Sequence, residues 1–457
     1  LNLKILNGMI ILKANKPLVV FLTLLIVIII IAIYAESAPK HALEERGGKV
    51  KVVKYDDGTW QLLVDKKPYF IKGVMFTPVK IGESPSESTM RDWMYYDDDA
   101  NGLNDIAFET WLDKNKNNKR DKDEKVYGDF LLLKRMGCNT IRLYHSASNN
   151  SILDDIYKIN PSSRLQYNHP INKELLRKLY KNYGIMIVMG HFLGEWTIGT
   201  NLAWESDGVD YSNPEHCQQL KRSVKAMVMD NKDEPYVLFW LLGNENNIAH
   251  WAKCNAATKR VDYAKFVGEL AEMIHELDPE HPVAICDGDN FNITSYYAKY
   301  APAIDIIGYN TYRGAGGYGS LWRTSKMKFD RPVFISESGM FAYDSRKGED
   351  EELQLKHIKA YWKDVVLNSS EYYKRGSRYS GNSIGIIVFD WLDRWYMDDE
   401  PHKHNPGKRP WKSPDGLDHE EYFGIMSMGD GSDTLMRQVR QAAYYLRDVW
   451  NKKELSY

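Results

Sequence analysis

Glu245 and Glu337 each follow an almost wholly apolar run, "YVLFWLLGN" before the first and "PVFIS" before the second. A carboxyl group at the end of a buried strand needs a partner or a task. Two carboxyl groups facing one another can cleave a glycosidic bond. One, kept protonated near neutral pH, gives its proton to the leaving oxygen. The other, ionised, attacks the anomeric carbon or activates a water.

Other residues suit the same chemistry. Asn244 can bond a sugar hydroxyl beside the reacting carbon, and Arg142 can hold a nucleophilic carboxylate ionised. Tyr312 can orient that carboxylate, Trp391 offers a flat face to a pyranose ring, and His191 ends an apolar run nearby. His191 has a second reading as a satisfied barrel-top histidine, and Arg142 as a structural ion pair. His145 and Glu195 are open candidates, while Asp287 and Asp289 read as loop caps.

These residues sit at the ends of eight strand-like runs, at 69–76, 140–144, 185–192, 236–244, 282–288, 304–310, 332–338 and 384–391. Most are continuous Val/Ile/Leu runs, the pattern of strands buried on both faces. Amphipathic stretches alternate with them, such as "EKVYGDFLLLKRMG" and "NKELLRKLYKNYG", each closed by a capping glycine. The order predicts an α/β fold, a (β/α)8 TIM barrel with its active site at the carboxyl ends of the strands. Strands 4 and 7 lie across such a barrel, so Glu245 and Glu337 converge over its mouth. "KVVKYDDGTWQLLVDKKPYFIKGV" predicts an N-terminal β-hairpin leading into the first strand. The connection from Asp393 to Phe423 is too long for a turn and predicts a functional or covering loop.

"GNEN" after the fourth strand and "SESG" after the seventh resemble clan A of the glycoside hydrolases, the retaining (β/α)8 β-glycosidases. "KKPYFIKGV", "NTIRLY", "IIGYNTY" and "VFDW" resemble the clan's entry hairpin, strand 2 arginine, strand 6 tyrosine and strand 8 tryptophan segments. The likeness covers roughly residues 50 to 450. It implies Glu245 as acid/base and Glu337 as nucleophile. Asn244, Arg142, His191, Tyr312 and Trp391 would line the subsite of cleavage. The hairpin and strand 6 resemble the barrel domain of β-galactosidase and β-glucuronidase relatives. Endo-acting glucanases, mannanases and glucan-chain transferases in the clan remain open, and with them hydrolysis or transglycosylation.

A separate signal lies in a long insertion after strand 1, at 95–125. "DKNKNNKRDKDE" (113–124) matches the spacing of an EF-hand calcium loop, with Asp113, Asn115, Asn117, Asp121 and Glu124 as ligands. Asn118 fills the sixth position, where the backbone is left-handed. "DDDANGLND" (97–105) repeats the phase with Asp97, Asp99, Asn101 and Asp105. Calcium at either loop would be structural; catalysis needs no cofactor. The alternative for both is a solvated charged loop.

The segment 17–35, "PLVVFLTLLIVIIIIAIYA", carries no charge and has the length of a bilayer-crossing helix. Lys4, Lys13 and Lys16 precede it, which favours a cytoplasmic start. The expected organisation is a stub and transmembrane anchor (1–35), a linker (36–49) and a glycosidase-like barrel (50–457) outside the cell. A cleaved signal and a secreted protein are the alternative. Outside the cell, on either reading, Cys217 and Cys254 could pair, whereas Cys138 and Cys286 read as buried thiols. Asn149, Asn292 and Asn368 begin glycosylation sequons. A net charge of -2 gives no reason to expect nucleic acid as a partner. The expected partners are an oligo- or polysaccharide and, through the N-terminal helix, a membrane. A catalytically inactive carbohydrate-binding barrel is the rival class, and the presence of both glutamates argues against it.

Overall fold

The strands β1 (Ile71–Met75), β2 (Thr140–Leu143), β3 (Met186–His191) and β4 (Val237–Leu242) run parallel, followed by β5 (Val283–Gly288), β6 (Ile306–Asn310), β7 (Val333–Ser338) and β8 (Ser383–Val388). They close into a barrel in chain order, with β8 pairing back onto β1. All eight fall on the runs read from sequence. This computed structural model describes residues 40–457 except 88, 147–170, 204–205, 250–251 and 399. It also describes the backbone of 2–6 and 9–13, and residues 20, 21 and 24.

A helix follows each strand: α1 (Asp129–Met136), α2 (Lys173–Tyr183), α3 (Pro214–Asn231), α4 (Arg260–Leu277), α5 (Thr294–Tyr300), α6 (Leu321–Lys328), α7 (Glu351–Leu367) and α8 (Gln441–Trp450). Gly137 and Gly184 end α1 and α2 in the left-handed conformation, as their sequences predict. The continuous apolar runs follow from two apolar layers. Val188, Ile306, Phe334 and Ile387 point into the barrel core. Their neighbours Ile187, Ile307, Ile335 and Ile386 point outward against the helices.

A small antiparallel sheet closes the amino-terminal end of the barrel. Its strands are Val50–Tyr55, Trp60–Val64 and Lys67–Pro68, with Ala42–Gly47 on the outer edge. Val50, Val52, Trp60 and Leu62 join the inner core from below. Residues 42–47 were expected within a linker. They form an edge strand because the backbone pairing asks little of side chains that mostly face solvent.

The insertion after β1 folds back onto the far end of the chain. Its short strand Trp111–Leu112 pairs with Met436–Val439, which also pairs with Met426–Ser427. The apolar segment 17–35 lies outside the described residues, apart from 20, 21 and 24. Among the described residues no helix is long and apolar enough to cross a membrane. Asn2–Leu6 and Met9–Lys13, expected within a cytoplasmic stub, pair as antiparallel strands. All four cysteines are free, so the Cys217–Cys254 pairing is not made. Each thiol instead hydrogen-bonds locally, Cys217 to Tyr211 O at 3.3 Å and Cys254 to Asn246 O at 3.5 Å.

Candidate active site

Glu337 lies at the end of β7, buried, and its two oxygens are surrounded by donors. Tyr312 donates its hydroxyl to Oε1 at 2.6 Å, and Tyr144 donates to Oε2 at 2.7 Å. Asn310 Nδ2 reaches Oε2 at 3.2 Å, and Arg142 Nη1 stands 3.6 Å from the same oxygen. Glu337 therefore presents lone pairs held in a fixed orientation. Burial, and then the nearby Glu337 charge, push both tyrosine hydroxyls well above the usual phenol range, so they stay donors.

Arg142 rises from β2 into the core of the mouth and ties three strands together. It donates to Ser336 O at 2.8 Å, to Asn244 Oδ1 at 2.7 Å and to Asn310 Oδ1 at 3.2 Å. Asn310 also donates to Asn244 Oδ1 at 3.1 Å. Asn244 thus accepts two hydrogen bonds, and its own Nδ2 lies 3.4 Å from Glu195 Oε1. Cys286 packs into the same network, 3.2 Å from Asn310 Oδ1 and from Ser336 Oγ.

Glu245 follows Asn244 in a backbone that turns sharply. Gly243 has φ +71°, and a Cβ there would stand 2.6 Å from Asn246 Oδ1. Glu245 itself has φ 57°, uncommon for a residue with a side chain and a form of strain that clusters at functional sites. The next two carboxamides lock this turn. Asn246 accepts from Asn244 N at 2.8 Å and donates to Phe192 O at 3.1 Å and Tyr211 Oη at 3.0 Å. Asn247 exchanges two hydrogen bonds with Gly288, at 2.9 and 2.8 Å. The local reason for "NENN" is therefore one ligand to the arginine network and two bolts to neighbouring strands. Burial pushes the Glu245 carboxyl up to about 8, with the charge of Glu337 adding to the shift. A proton held there at neutral pH can be given away.

Two expected site residues stand elsewhere. His191 is buried, with Nε2 2.8 Å from Ser223 Oγ on α3 and Nδ1 accepting from Leu193 N at 3.0 Å. Both ring nitrogens are used in holding the β3 loop, and burial keeps the ring neutral by drawing its pKa well down. Trp391 has no exposed surface and packs in the outer layer with the helices. It cannot offer a face to a sugar. Phe389, two residues earlier and in the inner cluster, lies edge-on to Tyr312 at 6.3 Å. Because the side-chain period of a strand is two, both face one side of an ideal strand. β8 ends at Val388, before both residues, so the alternation of the strand does not govern them.

Tyr144, Asn310 and Phe389 are residues to which the sequence reading assigns no role, and Glu195 is the open candidate that the structure brings to Asn244. Tyr144 and Asn310 lie within the strand-end segments "NTIRLY" and "IIGYN", which was the available signal. Glu195 is fully buried, with Oε2 unpartnered among the described residues. Burial and the Glu245 charge raise its carboxyl well above the usual range.

The two acidic loops differ. At 97–105, carboxylate oxygens of Asp97, Asp99 and Asp105 come within 4.8 Å of one another. Asp97 accepts from Asn101 N and Gly102 N at 3.0 and 3.1 Å, and Asn101 Oδ1 accepts from Leu103 N at 2.7 Å. The Lys80 ammonium pairs with Asp105 and partly neutralises the cluster. At 113–124 the turn is also ordered: Asn118 has φ 61°, and Asp113 accepts from Asn118 N at 2.9 Å. There Asn115 and Asn117 donate to Asp121 at 2.8 and 2.9 Å. Glu124 accepts from Lys114 N at 2.6 Å and from Asp121 N at 3.1 Å. Among the described residues, no comparable convergence of carboxylates occurs at 113–124. Of the sequons, Asn149 is outside the described residues. Asn368 is buried on Asp364 O at 2.9 Å, and Asn292 donates to Asn247 O at 3.0 Å.

The model of the glycosyl hydrolases family 2, TIM barrel domain, matches residues 113–381. No curated protein sequence matches the chain. Among solved structures, a β-D-glucuronidase of Dictyoglomus thermophilum is similar at 17% identity and a TM-score of 0.48, over 90% of this chain and 54% of that one. A β-galacturonidase of Eisenbergiella tayi bound to galacturonate gives 15% and 0.47, over 92% and 55%. A calcium-binding mutant of β-glucuronidase 2 from Bacteroides uniformis gives 14% and 0.50, over 88% and 38%. The chain thus spans about half the length, or less, of these structures.

Proposed function

The chain belongs to glycosyl hydrolase family 2, and from that premise we propose that it cleaves β-linked oligo- or polysaccharides with retention of configuration. Glu245 is the acid/base and Glu337 the nucleophile. The observation that carries this reading is the contrast between the two carboxyl groups. Glu337 receives two tyrosine hydroxyls and an amide on its oxygens. Glu245 is pushed up to about 8. One group is equipped to attack and the other to give a proton, which is the division that retaining cleavage requires.

In the first step Glu337 attacks the anomeric carbon as Glu245 protonates the leaving oxygen. A glycosyl ester forms on Glu337. In the second step Glu245 takes a proton from water, or from a sugar hydroxyl, and that oxygen displaces Glu337. Arg142, Asn244 and Asn310 hold the two glutamates in register. The test is turnover on a panel of β-linked polysaccharides and aryl glycosides, beside Glu245→Gln and Glu337→Gln. Activity lost in both variants supports the pair; activity surviving Glu337→Gln removes the nucleophile.

The apolar segment 17–35 supports a membrane-anchored enzyme with its barrel outside the cell. Protease protection of the barrel in intact cells would contradict that placement. The converging carboxylates at 97–105 support a structural calcium ion there, with Asp97, Asp99, Asn101 and Asp105 as oxygen donors. Calcium titration followed by thermal melting tests it.

A further inference from the structure

The loop between β8 and α8 carries a tryptophan that the catalytic reading does not use. Among the described residues, Trp411 is the only exposed tryptophan, at 40%. Its ring stands edge-to-face with Tyr312, centroids 5.9 Å apart and planes at 79°. Tyr312 is the tyrosine whose hydroxyl meets Glu337 Oε1. Its other ring neighbours, Phe389 and Phe423, are buried. Trp411 is thus the solvent-facing member of an aromatic set that reaches the nucleophile.

The tryptophan is held in place. Its backbone N–H donates to Gly416 O at 2.9 Å, and Pro410 bridges to Leu417. Asp415 secures the turn from three sides: Ser345 N at 2.7 Å, Ser413 Oγ at 2.8 Å and His419 Nε2 at 2.8 Å. His419 is itself wedged edge-on between Phe341 and Tyr343. An exposed single aromatic is ordinary. A braced aromatic beside the nucleophile's own hydrogen-bond donor is a preformed surface. A pyranose ring has an apolar C–H face, and an aromatic ring presents a negative face to it.

We propose that Trp411 is a saccharide-binding residue that stacks on the sugar unit next to the one attacked by Glu337, and so sets a preference for oligomers over single glycosides. This rests on the reading of the Glu245/Glu337 pair as a glycosidase centre. The test is calorimetric binding of β-linked oligosaccharides of one to four units to the full chain carrying Glu337→Gln, with and without Trp411→Ala and Trp411→Phe. With Trp411 present, affinity rises as units are added. In Trp411→Ala the gain from the added unit falls about tenfold, and Trp411→Phe recovers part of it. A melting curve shared by the three proteins separates this from misfolding. An unchanged gain in Trp411→Ala, or an equal loss for one unit and for four, overturns the assignment. If the parent chain turns over substrate while Trp411→Ala binds normally, the platform fails and the glycosidase reading stands. Length-dependent binding through Trp411 without any turnover by the parent upholds the platform and removes the catalytic reading. No binding of any saccharide overturns both.

Discussion

Arg142 and Arg437 are both fully buried, and they are held in opposite ways. Arg437 closes on Asp129 with Nε at 2.8 Å and Nη2 at 3.1 Å, and gives Nη1 to the carbonyls of Thr434 and Met436. That pair joins α1 to the strand before α8 and occupies both oxygens of Asp129. Arg142 stands 3.6 Å from Glu337 and spreads its hydrogen bonds over Ser336, Asn244 and Asn310, with Nε unpartnered among the described residues. A closed pair spends a carboxylate on the fold. A spread arginine positions a carboxylate and leaves it available.

Substitutions at the two regions should separate activity from stability. Glu337→Gln removes the attacking group, and kcat should fall by roughly four orders of magnitude or more. Glu245→Gln should cost about 10²–10⁴-fold. It should also change the pH profile. Burial raises the Glu245 carboxyl to about 8, so its proton is present at neutral pH and lost above that value. Parent activity should therefore decline on the alkaline side near pH 8, and this limb should vanish in Glu245→Gln with an activated aryl glycoside. Arg437→Met leaves Asp129 buried without its partner and should destabilise the fold by about 3–5 kcal/mol in denaturant titration, with the folded fraction still active. Arg142→Lys keeps the charge and loses the planar fork, and should lower kcat/KM about 100-fold with a smaller change in melting temperature. If Arg437→Met cost activity without stability, or Arg142→Lys the reverse, the distinction would be wrong. The smallest effect is expected from chelation: melting lowered by a few degrees through the 97–105 loop, with turnover at 25 °C unchanged.

The barrel was legible in the sequence because strands buried on both faces write continuous apolar runs, and eight of them alternate with capped helices. The two glutamates were legible because a charge after such a run is costly unless used. What could not be read is where each aromatic and histidine turns once its strand has ended. Trp391 and Phe389 share "VFDW", and only the path beyond Val388 sends the tryptophan outward and leaves the phenylalanine at Tyr312. His191 ends β3 as Glu337 nearly ends β7, yet Ser223 on α3 captures its ring. The edge strand 42–47 was illegible because its partner supplies pairing through the backbone alone. The acidic loops matched one spacing rule, but spacing does not say whether side-chain amides will occupy the carboxylates, as Asn115 and Asn117 do at Asp121.

The central claim is the division of labour between Glu245 and Glu337, and azide rescue with an aryl β-glycoside tests it most directly. Each glutamate is replaced by glycine, azide is added, and the anomer of the glycosyl azide is read by NMR. With Glu337 removed, azide takes the nucleophile's place and the account predicts the α-azide. With Glu245 removed, the glycosyl ester still forms on Glu337, azide opens it, and the β-azide is predicted. The anomers exchanged between the two variants, or no rescue of either in a protein whose parent turns the glycoside over, would contradict the assignment.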